Sequence, residues 1–216
     1  MHLSPDEIEV FRLGALPFDL TVVGTWAVMA VVLPTLILCR RTQLVEAGIE
    51  FIGEQSAEIF GRDAKRFVPL VGTLFIFILA CNWSSLVPGF MPPTASLSTT
   101  AALASAVMLS VMVYGIRAQG IRGYFGRFVK PIPILLPFNV IGEAIKGFSL
   151  AIRLYGNIMS GTFLAGLAFV LAPAFFPALL NIYGLLAGTI QPYIFMVLAV
   201  VYIASAIGDD NQKKGE

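Results

Sequence analysis

Five apolar runs, each long enough to cross a bilayer as a helix, constrain this chain more than any other feature: Leu20 to Cys39, Phe67 to Val87, Leu97 to Ile116, Ile134 to Leu171 and Ala178 to Ile207. A hydrocarbon layer about 30 Å thick is spanned by about 20 helical residues. Two runs exceed that length. The fourth would extend about 57 Å and the fifth about 45 Å as helices, so both must tilt, as a steeply inclined helical hairpin. The fold class predicted is therefore an all-α polytopic membrane protein with about five transmembrane helices.

Between the first two runs, "TQLVEAGIEFIGEQSAEIFG" sets Glu46, Glu50, Glu54 and Glu58 four residues apart, with Val45, Ile49, Ile52 and Ile59 on another face. That spacing predicts an amphipathic surface helix over 43–60, its acidic stripe a solvated face. Residues 1–19 read as an N-terminal extracytoplasmic segment, 20–207 as one membrane domain and 208–216 as a cytoplasmic tail. The first twelve residues, MHLSPDEIEVFR, are acidic and lack the apolar stretch of a signal peptide.

Composition agrees. Charged residues are 12% of the chain and mean hydropathy is +0.85, whereas soluble domains carry about 25% charged residues. A net charge of +1 comes without a basic tract to hold a phosphate backbone, so no nucleic-acid partner is expected. Cys39 and Cys81 sit at or within apolar runs without metal-like spacing and read as small buried hydrophobes. His2 is the one histidine, so neither a metal site nor a cofactor is expected.

With five crossings, Arg40, Arg41, Arg62, Lys65, Arg66, Arg117, Arg122, Arg127, Lys130, Lys213 and Lys214 fall on one side and Arg12 on the other. The excess of basic residues marks the cytoplasmic side. The N-terminus is then outside and the C-terminus inside. Lys146 and Arg153 remain within the long fourth run.

On a helical wheel Asn139, Glu143, Lys146, Arg153 and Asn157 share a sector of about 80°, which Ser149 and Ser160 widen to about 120°. Ile141, Ile145, Phe148, Ile152 and Phe163 occupy the opposite face. Glu143 and Lys146, three residues apart, can pair, and asparagines can join membrane helices. For Asn139 and Ser160 the structural and functional readings stay open. Arg153 is different. A guanidinium stays charged, and at the centre of a membrane helix it costs roughly 2.5–3.5 kcal/mol. The nearest carboxylate in its helix is about 15 Å away along the axis, and no other apolar run contains an acid. A partner carboxylate on another subunit resolves this, and a fixed cation facing a titratable acid drives off its ion by stabilising the ionised form.

In the last run, Pro192 frees a backbone carbonyl that needs another donor. Gln191 can supply it, or can hydrate a neighbouring arginine; a packing role is equally open. Gly184 and Gly188 form a GxxxG, read as a close helix contact.

These residues resemble a family. "IGEAIKGFSLAIRLYGNIMSG" looks like the signature helix of subunit a of the F-type ATP synthase, and "IQPYIFMVLAVVYI" resembles its C-terminal helix. "CNWSSLVPGFMPPT", "IRAQGIRGYF" and "PFNVIGE" are similar, in order, to its Asn-containing loop, its basic cytoplasmic loop and the start of the signature helix. The resemblance covers about residues 67 to 207. It implies that Arg153 is the family's essential arginine facing the ion-binding carboxylates of a rotating ring of c subunits. Gln191 would be its polar partner on the facing helix, with Asn157 and Glu143 lining an aqueous path; Lys146, Asn139 and Ser160 complete the candidate set for ion translocation. Two offset half-channels would load and unload the ring. The implied partners are the c ring, peripheral-stalk b subunits, the rest of the ATP synthase and the lipid bilayer, in a bacterial plasma membrane. ATP chemistry would occur on other subunits, leaving this chain without a catalytic site.

Three positions depart from the pattern. Thr162 and Gly184 stand where many members carry titratable residues, and Ser96 where an Asp is frequent. The outer half-channel is then poor in acids, which leaves sodium as an alternative to the proton. A secondary transporter, the reading from a different class, would show two similar halves with interrupted helices; one polar helix is present and no inverted copy of it. An intramembrane enzyme would need a nucleophile–base pair or a metal cluster, and neither is visible.

Overall fold

The computed structural model describes residues 9–13, 16–38, 43–60, 66–86, 90–129, 134, 136–171 and 176–207. Six helices account for most of them: α1 (Leu20–Leu38), α2 (Gln43–Phe60), α3 (Val68–Trp83), α4 (Leu97–Val129), α5 (Leu136–Leu171) and α6 (Phe176–Ile207). The fold is that of a helical polytopic membrane protein. A small antiparallel hairpin of β1 (Glu9–Leu13) and β2 (Leu16–Asp19) precedes α1, pairing Arg12 with Pro17 and Leu13 with Leu16. The expectation assigned no strands. Val10, Phe11 and Phe18 are residue types that favour extended backbone.

Three helices contain stretches long and apolar enough to cross a membrane, Thr21–Leu38, Leu97–Phe128 and Ile182–Ile207; Val68–Trp83 is apolar but shorter. The charged stripe lowers the hydropathy of α5. His2, Cys39, Arg40, Arg41, Arg62, Lys65, Lys130 and the tail with Lys213 and Lys214 lie outside the described residues.

α6 is the axis of the bundle and packs against α2, α3, α4 and α5. Its buried Phe195, Met196, Ala199, Val200 and Ile203 meet Val71 and Ile78 of α3, Val107 and Val111 of α4, and Leu150 and Leu154 of α5 in one apolar core. Cys81 lies buried in α3 as a free thiol. In α2 all four glutamates of the acidic stripe are exposed. The buried face is narrower than expected: Ile52 packs on Gly72 and Ser56 is buried, while Ile49 and Ile59 are exposed. Gln55 anchors the helix by accepting a hydrogen bond from Tyr193 Oη of α6 at 2.8 Å.

The third span was expected to end at Ile116, before a basic loop. Instead α4 continues to Val129, with Gly120 at φ 74°, ψ 166° dividing it. Charge disfavours lipid, not helix, and a glycine with positive φ lets the chain bend between two helical stretches. Beyond the bend the chain doubles back far enough that a Cβ on Gly115 would sit 2.6 Å from the Tyr124 ring.

Candidate functional site

The stripe on α5 separates into two halves. In the first, every strongly polar group has a partner. Asn139 Nδ2 donates to the Phe128 carbonyl at 2.9 Å, which gives Asn139 a structural role. Lys146 Nζ donates to Glu143 Oε2 at 2.9 Å and lies 5.6 Å from the Tyr202 ring of α6. Glu143 Oε1 lies 3.6 Å from Arg127 Nη2.

In the second half the partners stop. Arg153 is exposed, and among the described residues it has no ion pair or hydrogen bond. Asn157, half-buried, and Ser160, exposed, have no hydrogen-bonded side chain among the described residues either. Leu150, Leu154 and Ile158 point the same helix into the core. Ile141, Ile145, Phe148 and Ile152, the face opposite the stripe, are 54%, 57%, 67% and 45% exposed. Arg153 therefore stands at the border between the packed face of α5 and a bare apolar one. The one described carboxylate on this helix is already matched by two cations, so nothing on α5 is left to neutralise it.

Gln191 on α6 is buried, and among the described residues its Nε2 has no hydrogen-bond partner. The carbonyl that Pro192 leaves free is that of Gly188, four residues back. It receives its hydrogen bond from Asn82 Nδ2 of α3, at 3.0 Å, rather than from Gln191. Asn82 Oδ1 in turn accepts from Thr94 Oγ1 at 3.1 Å. Next to this network Trp83 Nε1 donates to Thr189 Oγ1 at 3.1 Å. The two glycines of the GxxxG behave differently. Gly188 packs on the Asn82 side chain, while a Cβ on Gly184 would meet nothing within 4 Å among the described residues.

The family model described as ATP synthase A chain matches residues 18–204. ATP synthase subunit a 2 of Acaryochloris marina is 42% identical, over 95% of this chain and 93% of that protein. ATP synthase subunit a of Nitrosospira multiformis is 40% identical, over 100% of this chain and 90% of that one. That of Moorella thermoacetica is 40% identical, over 95% and 98%. The chain belongs to the ATP synthase A chain family.

As a member of that family it is an integral membrane protein, in keeping with its apolar helices. The three departures noted in the sequence have local structural roles or none in this chain. Ser96 Oγ accepts from the backbone N–H of Ser98 at 3.2 Å and Thr99 at 3.5 Å, capping the first turn of α4. Thr162 Oγ1 donates back to the Ile158 carbonyl at 3.0 Å. Gly184 is exposed.

Sequence reasoning missed Asn82, which fills the Gly188 carbonyl, and Arg127, which lies beside Glu143. Two signals were available for Asn82: it is the one amide in the second apolar run, and Pro192 orphans a carbonyl that must find a donor. Among the described residues no three His, Cys, Asp or Glu side chains cluster as a metal site.

Proposed function

We propose that this chain is the stator ion-channel subunit of a rotary F-type ATP synthase, with Arg153 facing the ion-binding carboxylates of a passing ring of c subunits. One observation carries the reading. A permanent cation is held at the edge of a bare apolar helix face, and the only described acid of its own helix is engaged elsewhere. A carboxylate arriving from another subunit is neutralised there and releases its ion; an ion-loaded, neutral carboxylate cannot pass while keeping its cation.

In this reading the chain crosses the membrane five times, with α5 and α6 inclined. Glu143, Lys146 and Asn139 line one half-channel, and Asn157 and Ser160 lie between Arg153 and the other, where Thr162 and Gly184 offer no titratable group. Gln191 is the polar partner on α6, its buried amide nitrogen left without a hydrogen bond among the described residues. The b subunits of the peripheral stalk and the remaining ATP synthase subunits complete the assembly, and ATP is made or hydrolysed on other subunits. The membrane is a bacterial plasma membrane, with the N-terminus outside and the C-terminus cytoplasmic.

The proton is the transported ion; sodium is the alternative, favoured by the absence of acids at Thr162, Gly184 and Ser96. In vesicles containing the whole complex, Arg153→Ala abolishes ATP-driven ion pumping while ATP hydrolysis by the soluble catalytic part survives. Intact coupled pumping by that variant would refute the assignment. Pumping measured with and without sodium, in the presence of a protonophore, decides the ion: sodium transport persists and proton transport collapses.

A further inference from the structure

The segment that doubles back after Gly120 brings Arg127 to a junction of three helices. Arg127 Nη1 donates to the Ser205 carbonyl at 2.9 Å, at the end of α6 where helix carbonyls lack intrahelical donors. Its Nη2 lies 3.6 Å from Glu143 Oε1 on α5. The guanidinium rests 4.8 Å from the Tyr124 ring and 5.2 Å from the Phe128 ring, so its own helix holds it in place. Gln119 Nε2 adds bonds to the carbonyls of Ala206 and Ile207 at 3.3 and 2.8 Å, so the α6 terminus does not depend on Arg127 alone.

Glu143 is thus held from both sides, Oε1 by Arg127 and Oε2 by Lys146. Oε1 is buried, yet no hydrogen bond fills it. The same residue forms part of the wall of a cleft of about 540 Å³ between α4 and α5, lined also by Ala104, Ser105, Met108, Gly147 and the rings of Tyr124 and Phe148. An acceptor at a cleft wall, set by a planar fork that also grips the next helix, has its position fixed more tightly than a lysine could fix it.

We propose that Arg127 is a positioning residue for ion passage, holding the Glu143 carboxylate against the end of α6 and on the wall of the α4–α5 cleft. This rests on the ion-channel reading above. It goes beyond a helix-capping role, because a cap alone would leave the behaviour of Glu143 unchanged.

The test uses vesicles of the whole complex and four variants: Arg127→Gln, Arg127→Lys, Glu143→Gln and the Arg127→Gln/Glu143→Gln pair. Glutamine keeps an amide donor for Ser205 and removes the charge. Arg127→Gln lowers coupled pumping roughly fivefold, at the modest end of what breaking a charge pair does to a rate, with the amount of assembled complex unchanged. Arg127→Lys restores part of the loss. In the Glu143→Gln background, Arg127→Gln has no further effect. Equal losses with and without the Glu143 carboxylate, or full pumping by Arg127→Gln, would overturn the proposal. Should Arg127→Gln fail to assemble, the comparison of Arg127→Lys with and without Glu143→Gln decides by the same criterion. Arg153→Ala, run alongside, reports on the ion-channel reading separately: if it pumps, that reading fails, whatever Arg127 does.

Discussion

Pro192 removes the N–H that would have bonded to the Gly188 carbonyl, and Asn82 supplies the replacement from a position 106 residues away. The exchange is efficient because one side chain is satisfied at both ends: Nδ2 on Gly188 and Oδ1 on the Thr94 hydroxyl. Leaving such a buried acceptor unfilled costs roughly 1–3 kcal/mol. Asn82→Ala therefore lowers the thermal unfolding midpoint of the detergent-solubilised complex. In a Pro192→Ala background the backbone N–H returns to Gly188, and the same substitution becomes milder, leaving chiefly the loss of the Thr94 bond. An identical penalty in both backgrounds would show that Asn82 does not stand in for the missing N–H. Gln191, next to the proline, is not needed for backbone repair, and among the described residues its buried amide nitrogen has no hydrogen-bond partner.

Gly120 decides the shape of α4. At φ 74°, ψ 166° it lies in a region that residues with a Cβ essentially never occupy, at a cost of about 1–3 kcal/mol. Gly120→Ala should lower the unfolding midpoint accordingly, and should weaken the contacts of Gln119 and Arg127 with the α6 terminus. Gly126, which has open space around its Cα, provides the control: Gly126→Ala should be close to neutral. A harmless Gly120→Ala would mean that the bend is not needed. This element also marks where the sequence stops being legible. Run length and the 3.6-residue period placed α1, α2, α5 and α6 and gathered the α5 stripe on one face, because lipid and core both select for apolar surface. The continuation of α4 past Arg117 was hidden, since three arginines lower hydropathy without ending a helix. The split of the stripe was hidden for another reason. Whether Glu143 is paired depends on Arg127, and their meeting requires a fold-back that no local pattern records. Arg153 was legible because the argument for it needed only the absence of nearby acids.

The described basic residues outside α5 and the hairpin gather at one end of the bundle. Arg66 precedes Phe67, whose ring stacks edge-on with Tyr114 at 4.8 Å. Tyr114 is three residues before Arg117, and beyond the Gly120 bend come Arg122 and Arg127. Gln119 and Arg127 both bond to the C-terminal carbonyls of α6. Asn82 and Trp83 meet α6 at Gly188 and Thr189, about 27 Å of helix away from Ala206. The bundle therefore has a basic end and, roughly one hydrocarbon thickness away around Met91, an end where, among the described residues outside the hairpin, there is no arginine or lysine. In the proposed topology this basic end faces the cytoplasm, following the bias of basic residues toward that side. The expected outcome is tested with single cysteines at two exposed positions, Met91→Cys and Arg122→Cys, in a chain whose two native cysteines are replaced by alanine. In intact cells a membrane-impermeant maleimide labels the Met91 variant, and it reaches the Arg122 variant only after permeabilisation. Labelling of both from the same side would remove the crossing by α4. The proposed odd number of spans, and with it the proposed placement of the two chain ends on opposite sides of the membrane, would fall with it.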